Sequence, residues 1–176
     1  MHRIVIIGNS GSGKSYLARK LDERLSIAPT HLDKLFWEPG GFNKKRPPEV
    51  VYREIDAISK TPQWLVEGVF GELAARFLDR AECLIWLDVD WEYCHSNLLQ
   101  RGSESSKQLD KEQAEENFRK LVIWASNYWE RVDLRSHKGH KELFDSFNGY
   151  KRVLRSRGEV DLLASDQSIL EARGKI

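Results

Sequence analysis

The sequence predicts an α/β fold, a parallel sheet with helices on both faces, and three observations carry that expectation. Short apolar runs alternate with segments of helical periodicity along the chain. The first run, Arg3-Ile4-Val5-Ile6-Ile7, is apolar and β-branched, as strands buried on both faces are. Directly behind it stands Gly8-Asn9-Ser10-Gly11-Ser12-Gly13-Lys14-Ser15, which fits G-x-x-x-x-G-K-[ST] at every fixed position. A helical pattern through Leu17, Ala18, Leu21 and Leu25 follows it.

That order of strand, glycine loop and helix is what a phosphate-binding loop requires. Gly8, Gly11 and Gly13 allow backbone N–H groups, those of Asn9, Ser10 and Ser12 included, to converge on phosphate oxygens. The positive end of the following helix adds to the attraction. Lys14 is expected to reach the β- and γ-phosphates of ATP, and the Ser15 hydroxyl to sit on Mg²⁺. The bland alternative is a Gly/Ser turn before an ordinary helix.

The other elements follow in order. Residues 29–32 read as a second strand that ends at Asp33. Residues 36–42 read as a loop, with aromatics around a Pro-Gly-Gly turn. Pro47 and Pro48 open a helix whose apolar stripe is Val50, Val51, Ile55 and Ile58. A third strand over 64–66 ends in Glu67-Gly68, residues 73–78 are helical, and a fourth strand over 83–87 ends at Asp88. Asp90 caps a helix that runs to about Arg101 and stops at Gly102. Beyond a polar stretch, one long helix is expected over 112–132, with Leu121, Trp124, Ala125, Tyr128 and Val132 on one face. Residues 135–141 are basic and read as a turn-forming break. Residues 150–154 form a fifth strand, and Ser156 caps a last helix through Val160, Leu162 and Leu163. Functional residues are expected beyond the carboxyl ends of the strands.

The 176 residues suit a single domain with a substantial core. A net charge of +1 argues against a dedicated nucleic-acid binder. Cys83 and Cys94 have no metal-ligand spacing and suggest no disulfide framework, so a reducing cytoplasm is expected. The chain enters its first strand at once, so no leader is expected, and no apolar run approaches membrane-spanning length.

On these residues the chain resembles the adenylate kinase-like branch of P-loop proteins. More closely, it resembles the small kinase-like family known as DNA topology modulation proteins. The likeness is carried by Gly8 to Ser15, by His31-Leu32-Asp33-Lys34-Leu35-Phe36-Trp37 with Pro39-Gly40, by Trp64-Leu65-Val66-Glu67-Gly68 and by Leu84-Ile85-Trp86-Leu87-Asp88. Arg76, Arg101 and the helix from Trp124 to Arg131 fit more loosely. The resemblance implies a three-layer P-loop NTPase fold with a five-stranded parallel sheet in the order 2-3-1-4-5 (a strand order from the family alone). It also implies an acceptor-binding arm over residues 36–60 and a short lid over 102–116. Three departures stand out: Glu67 where the family has Asp, Asn97 where an arginine precedes Arg101 by four residues, and an acidic lid segment without a zinc-binding cysteine set.

Candidate roles follow, each with a structural rival. Asp33 would orient or deprotonate an acceptor hydroxyl or hold Mg²⁺ through water, or else cap a helix starting at Lys34. Glu67 would back Mg²⁺ or contact the acceptor, or else pair with Lys14 or Arg76. Asp88 and Asp90 read as structural. Arg76, Arg101 and Arg131 are candidate phosphate clamps, since the guanidinium fork grips two oxygens. Trp37 and Phe42 would line the acceptor pocket or pack in the core. His31 is expected on the opposite face of its strand as a core histidine, and Trp64, Trp86, Trp124 and Trp129 as packing residues. His137 and His140 lack companions for a metal site. The function expected is ATP-dependent phosphoryl transfer to a nucleotide, nucleoside or other hydroxyl compound. A nucleotide-dependent regulator of DNA topology or gene expression, or an NTPase without a second substrate, are the rivals.

Overall fold

The computed structural model describes residues 1–39, 44–102 and 110–165. Phe42 and much of the expected lid lie outside the described residues. Five parallel strands lie in the order β2-β3-β1-β4-β5: β1 (Arg3–Gly8), β2 (Pro29–His31), β3 (Trp64–Gly68), β4 (Cys83–Leu87) and β5 (Tyr150–Leu154). The two central neighbours of β1 explain its continuous apolarity. Ile4 and Ile6 pack into one core with Leu17 and Leu21 of α1 (Lys14–Leu25) and Val160 and Leu163 of α8 (Arg157–Ser165). Val5 and Ile7 pack into the other, with Val51 and Ile55 of α3 (Pro48–Ser59), and Leu73 and Phe77 of α4 (Gly71–Leu78). Alternate side chains of one strand thus fill two cores, so neither face can be polar. β5 is one of the two edge strands and is largely exposed.

The strand ends set out the site. β2 stops at His31, one residue earlier than the sequence suggests, and α2 (Leu32–Phe36) begins at once. Asp33 therefore sits inside the first turn of α2, not at its cap, and its carboxylate accepts the Lys34 N–H at 3.0 Å. Beyond α2 the chain folds back, with Trp37 bridged antiparallel to Lys45. Asp90 caps α5 (Trp91–Arg101) through the Tyr93 N–H, and Gly102 ends it at φ 67°.

The long helix expected over 112–132 ends early. Helix α6 spans Lys111–Ser126 and passes into a 3₁₀ turn, Asn127–Trp129. The turn drives Tyr128 into the core, where it is wholly buried, and leaves Val132 75% exposed. The expected break at 135–141 is instead the start of α7 (His137–Ser146). Ser136 caps it by accepting the Gly139 N–H at 3.1 Å. Gly139 fits because a Cβ there would collide with the Asp133 carbonyl oxygen. None of the described helices is long and apolar enough to cross a membrane.

Candidate active site

The phosphate loop runs from Gly8 to Ser15, between β1 and α1. Its glycines carry positive φ: 80° at Gly11 and 97° at Gly13. A Cβ at Gly11 would strike the Cys94 carbonyl oxygen of α5, so the loop and α5 touch backbone to backbone. Two asparagines brace the loop, Asn9 from within it and Asn97 from α5. Asn9 is buried, and its side chain donates to the Ala125 carbonyl at 2.9 Å and accepts the Ser10 N–H at 2.8 Å. Asn97 donates to the Gly11 carbonyl at 2.8 Å, so the residue standing in the arginine position braces the loop.

Lys14 is 8% exposed, and its Nζ donates to the Asn9 carbonyl at 2.6 Å. Burial pushes its pKa down, while the charge of Glu67 opposes that shift. The Ser15 hydroxyl donates to Glu67 Oε1 at 2.8 Å. Glu67, next to last in β3, pairs with His31 of β2, and His31 Nδ1 lies 2.5 Å from the same Oε1. Burial pushes the Glu67 carboxyl up, but His31, Lys14 and Ser15 together hold it below its ordinary value. The bond to Glu67 in turn raises the His31 pKa. Glu67 is thus paired with His31 and Ser15, not bonded to Lys14 or Arg76, and His31 is no isolated core residue. Alternation along β2 missed this because its register puts His31 beside Glu67 at the last residue of the strand.

A cavity of about 770 Å³ opens over the loop. Of the residues singled out from sequence, Ser10, Gly11, Gly13, Lys14, Ser15, Asp33, Trp37, Glu67 and Arg101 line it. Asn9 and Ser12 are buried behind it. Gly8 also lies behind it, where a Cβ would come within 2.7 Å of the Leu87 carbonyl oxygen.

Two of the expected phosphate clamps lie elsewhere. The Arg76 guanidinium stacks 3.5 Å from the Tyr52 ring, between α4 and α3. Arg131 lies 3.8 Å over the Trp124 ring and donates to Asp133 and to the Arg135 carbonyl. Burial lowers its pKa. Arg131 therefore shapes the loop before α7 and does not line the cavity. Asp88 does not line this cavity either, and its carboxylate lies 3.1 Å from His137 and 3.8 Å from Arg155.

Other lining residues were not legible as site residues. Trp124, expected as packing, forms part of the α6 wall with Phe118 and Leu121. Tyr93 of α5 joins Arg157 of α8 at 3.2 Å. Arg135 reaches in from the loop before α7, its Nε donating to Glu72 at 2.7 Å. Each is an ordinary residue of its segment, and only the crossing of chain-distant elements brings it to the cavity.

The set offers Ser15 and Glu67, two oxygen donors already 2.8 Å apart beside the phosphate loop. Such hard donors fit Mg²⁺, which takes one or two protein oxygens plus substrate phosphates. Among the described residues no group of three His, Cys, Asp or Glu side chains gathers as a metal site of its own.

Comparison with solved structures decides the architecture. The chain is similar to shikimate kinase from Acinetobacter baumannii, solved in complex with shikimate, with a TM-score of 0.56 and 18% identity over 99% of this chain and 96% of that one. The chain has the P-loop kinase fold. A shikimate kinase from Bacteroides thetaiotaomicron matches with a TM-score of 0.54 and 14% identity over 97% of this chain and 98% of that one. A sugar kinase from a Janibacter species gives a TM-score of 0.52 and 12% identity over 93% and 90%. At these identities the likeness is one of fold. No protein-family model matches the chain, and no curated protein matches it.

Proposed function

We propose that this protein is an ATP-dependent small-molecule kinase that uses Mg²⁺. One observation carries the reading: a phosphate loop with its lysine and serine opens into the same cavity as a second carboxylate, Asp33, in the first turn of α2 just past β2. A loop alone suits any nucleotide binder. A loop facing a carboxylate across a shared cavity suits transfer to a second substrate.

The loop amides and Lys14 bind the β- and γ-phosphates. For that, Lys14 Nζ exchanges the Asn9 carbonyl for phosphate oxygens, a neutral partner for a charged one. Ser15 and Glu67 hold Mg²⁺, with His31 fixing the carboxylate from behind. When bound, the metal neutralises charge on the β- and γ-phosphate oxygens. Asp33 positions the acceptor and takes its proton. Arg101, at the end of α5, supplies positive charge from the lid side. The acceptor is a nucleotide, a nucleoside or another hydroxyl compound, bound toward the arm over residues 36–60, beside Trp37. The stretch His31 to Trp37 supports the narrower placement with the DNA topology modulation proteins, read as kinases. The donor is ATP, and neither nucleic acid nor membrane enters the reaction.

The test is ADP release from ATP and Mg²⁺, measured with and without panels of small acceptors. Stimulation of at least about 10²-fold by one panel is expected, the scale of acceptor positioning. Turnover that no acceptor raises above the rate with water would refute the reading.

A further inference from the structure

The face of α5 that meets the phosphate loop is made of Tyr93, Cys94, Asn97 and Leu98, two pairs one helical turn apart. A Cβ on Gly11 would strike the Cys94 carbonyl oxygen at 2.3 Å and come within 3.0 Å of Leu98, and one on Gly13 would meet the Tyr93 hydroxyl at 3.7 Å. To this close packing Asn97 adds a hydrogen bond, its Nδ2 donating to the Gly11 carbonyl at 2.8 Å. We propose that Asn97 is a positioning residue of the donor site: it holds the Gly11–Ser12 peptide with its carbonyl outside the loop and its N–H inside, ready for the phosphates of the nucleotide. This rests on the kinase reading above and adds a residue to its donor site.

The glycine is the reason a brace is needed. Gly11 has φ 80° and no Cβ, so the peptide beside it can turn over at little cost. In a trans peptide the C=O and the N–H point in opposite directions. With the Gly11 carbonyl held toward α5, the Ser12 N–H points into the loop, where it donates to the Asn9 carbonyl at 3.2 Å. Lys14 Nζ donates to that same carbonyl at 2.6 Å. An N–H and an ammonium thus converge on one neutral oxygen, an arrangement in which an anionic oxygen competes well. Turned over, the peptide would present the negative end of the Gly11 carbonyl to that space and repel a phosphate.

Asn97 does this without a charge. It stands where the resemblance described above implies an arginine, four residues before Arg101. Arg101 lines the cavity from the end of the same helix, so α5 carries the brace and a cation one turn apart. Asn97 itself borders the cavity, which makes direct contact with the nucleoside the rival role. Asn9 braces the loop through Ala125 of α6, but it is 1% exposed, so its replacement would disturb packing as well. Asn97 is half-buried on a helix and can be replaced without opening the core. It is therefore the position at which loop geometry and stability can be separated.

Calorimetric titration with ADP and with inorganic tripolyphosphate, each with Mg²⁺, tests this on the wild-type protein, Asn97→Leu and Asn97→His, well below the melting temperature of each. Leucine keeps the shape and removes the donor. The Nδ1–H of histidine lies at the same place along the side chain as the asparagine Nδ2 and can donate in its stead. Asn97→Leu is expected to raise the Kd of both ligands by the same factor, about 5–10-fold, the scale of one hydrogen bond that holds a loop. Asn97→His is expected to restore most of the affinity. Should Asn97→Leu fail to fold, Asn97→Ala carries the same comparison. A loss for ADP alone would mean that Asn97 touches the nucleoside and would overturn the proposal. Unchanged Kd values in a folded variant, or an Asn97→His as weak as Asn97→Leu, would overturn it too. Wild-type protein that binds neither ADP nor tripolyphosphate would overturn the kinase reading instead.

Discussion

Asp33 is the residue at which a functional and a structural role diverge most clearly. Sequence left two roles open, acceptor positioning and helix capping. The structure removes the cap, because α2 starts at Leu32 with His31 at the N-cap position. The carboxylate still accepts one backbone N–H, from Lys34, and lines the cavity with Lys14 and Glu67. Asparagine at this position keeps the shape and can accept that same N–H. It cannot take a proton from a hydroxyl. Asp33→Asn is therefore expected to cut acceptor phosphorylation by about 10²-fold or more, with unchanged ATP affinity and thermal stability. Steady-state kinetics with calorimetric ATP binding checks it. Near-normal acceptor turnover would move the base to Glu67, the other carboxylate that lines the cavity.

At the scale of elements, β1, the phosphate loop and α1 were legible because each is specified locally, by β-branching, glycine spacing and periodicity. Helix α7 was not. Its first turn holds two histidines, a glycine and basic residues, which read as a break when taken alone. It is specified by contacts that sequence spacing does not reveal. His140 Nε2 donates to the Val69 carbonyl at 3.0 Å, because a carbonyl can only accept. Nδ1 is then the acceptor for the Tyr128 hydroxyl at 2.7 Å, whose oxygen takes the Trp86 indole N–H at 3.2 Å. This closed chain ties α7 to β4 and to the loop after β3, and it requires a neutral imidazole. Burial pushes the His140 pKa down from 6.5 to about 3. The unfolded chain binds this proton below about pH 6.5, and the folded chain does not until about pH 3. The contribution is thus fully present above pH 6.5 and declines as pH falls through that window, by about 1.4 kcal/mol per pH unit. Denaturant unfolding at pH 7 and pH 5 checks it against His140→Gln. That variant should start less stable at pH 7 and lose less on acidification. Parallel losses in both proteins would show that His140 titrates normally.

At the scale of the whole molecule, the site is a junction of distant segments. Asn9 bonds Ala125, Asn97 bonds Gly11, and Ser15 bonds Glu67, so the phosphate loop is tied to α6, α5 and β3 at once. This is why the strand-end residues were legible as a site while Arg135, Tyr93 and Trp124 were not: a strand end is predictable from the sheet, a wall made by crossing helices is not. It is also why a ligand on the loop stabilises the fold as one unit. ADP with Mg²⁺ at about 100 times its Kd should add about 2.7 kcal/mol. For a domain of this size that is a rise of about 5–11 °C in Tm. Lys14→Met isolates the cause. Lys14 is buried with a neutral carbonyl as its hydrogen-bond partner, an arrangement that burial already disfavours. Methionine fills the same channel without the charge. The variant without ligand is therefore expected to melt at or slightly above the wild-type temperature, while its response to ADP with Mg²⁺ falls to near zero. A full ligand-induced shift in Lys14→Met would mean that the loop amides alone hold the phosphates and that the lysine is not part of the donor site.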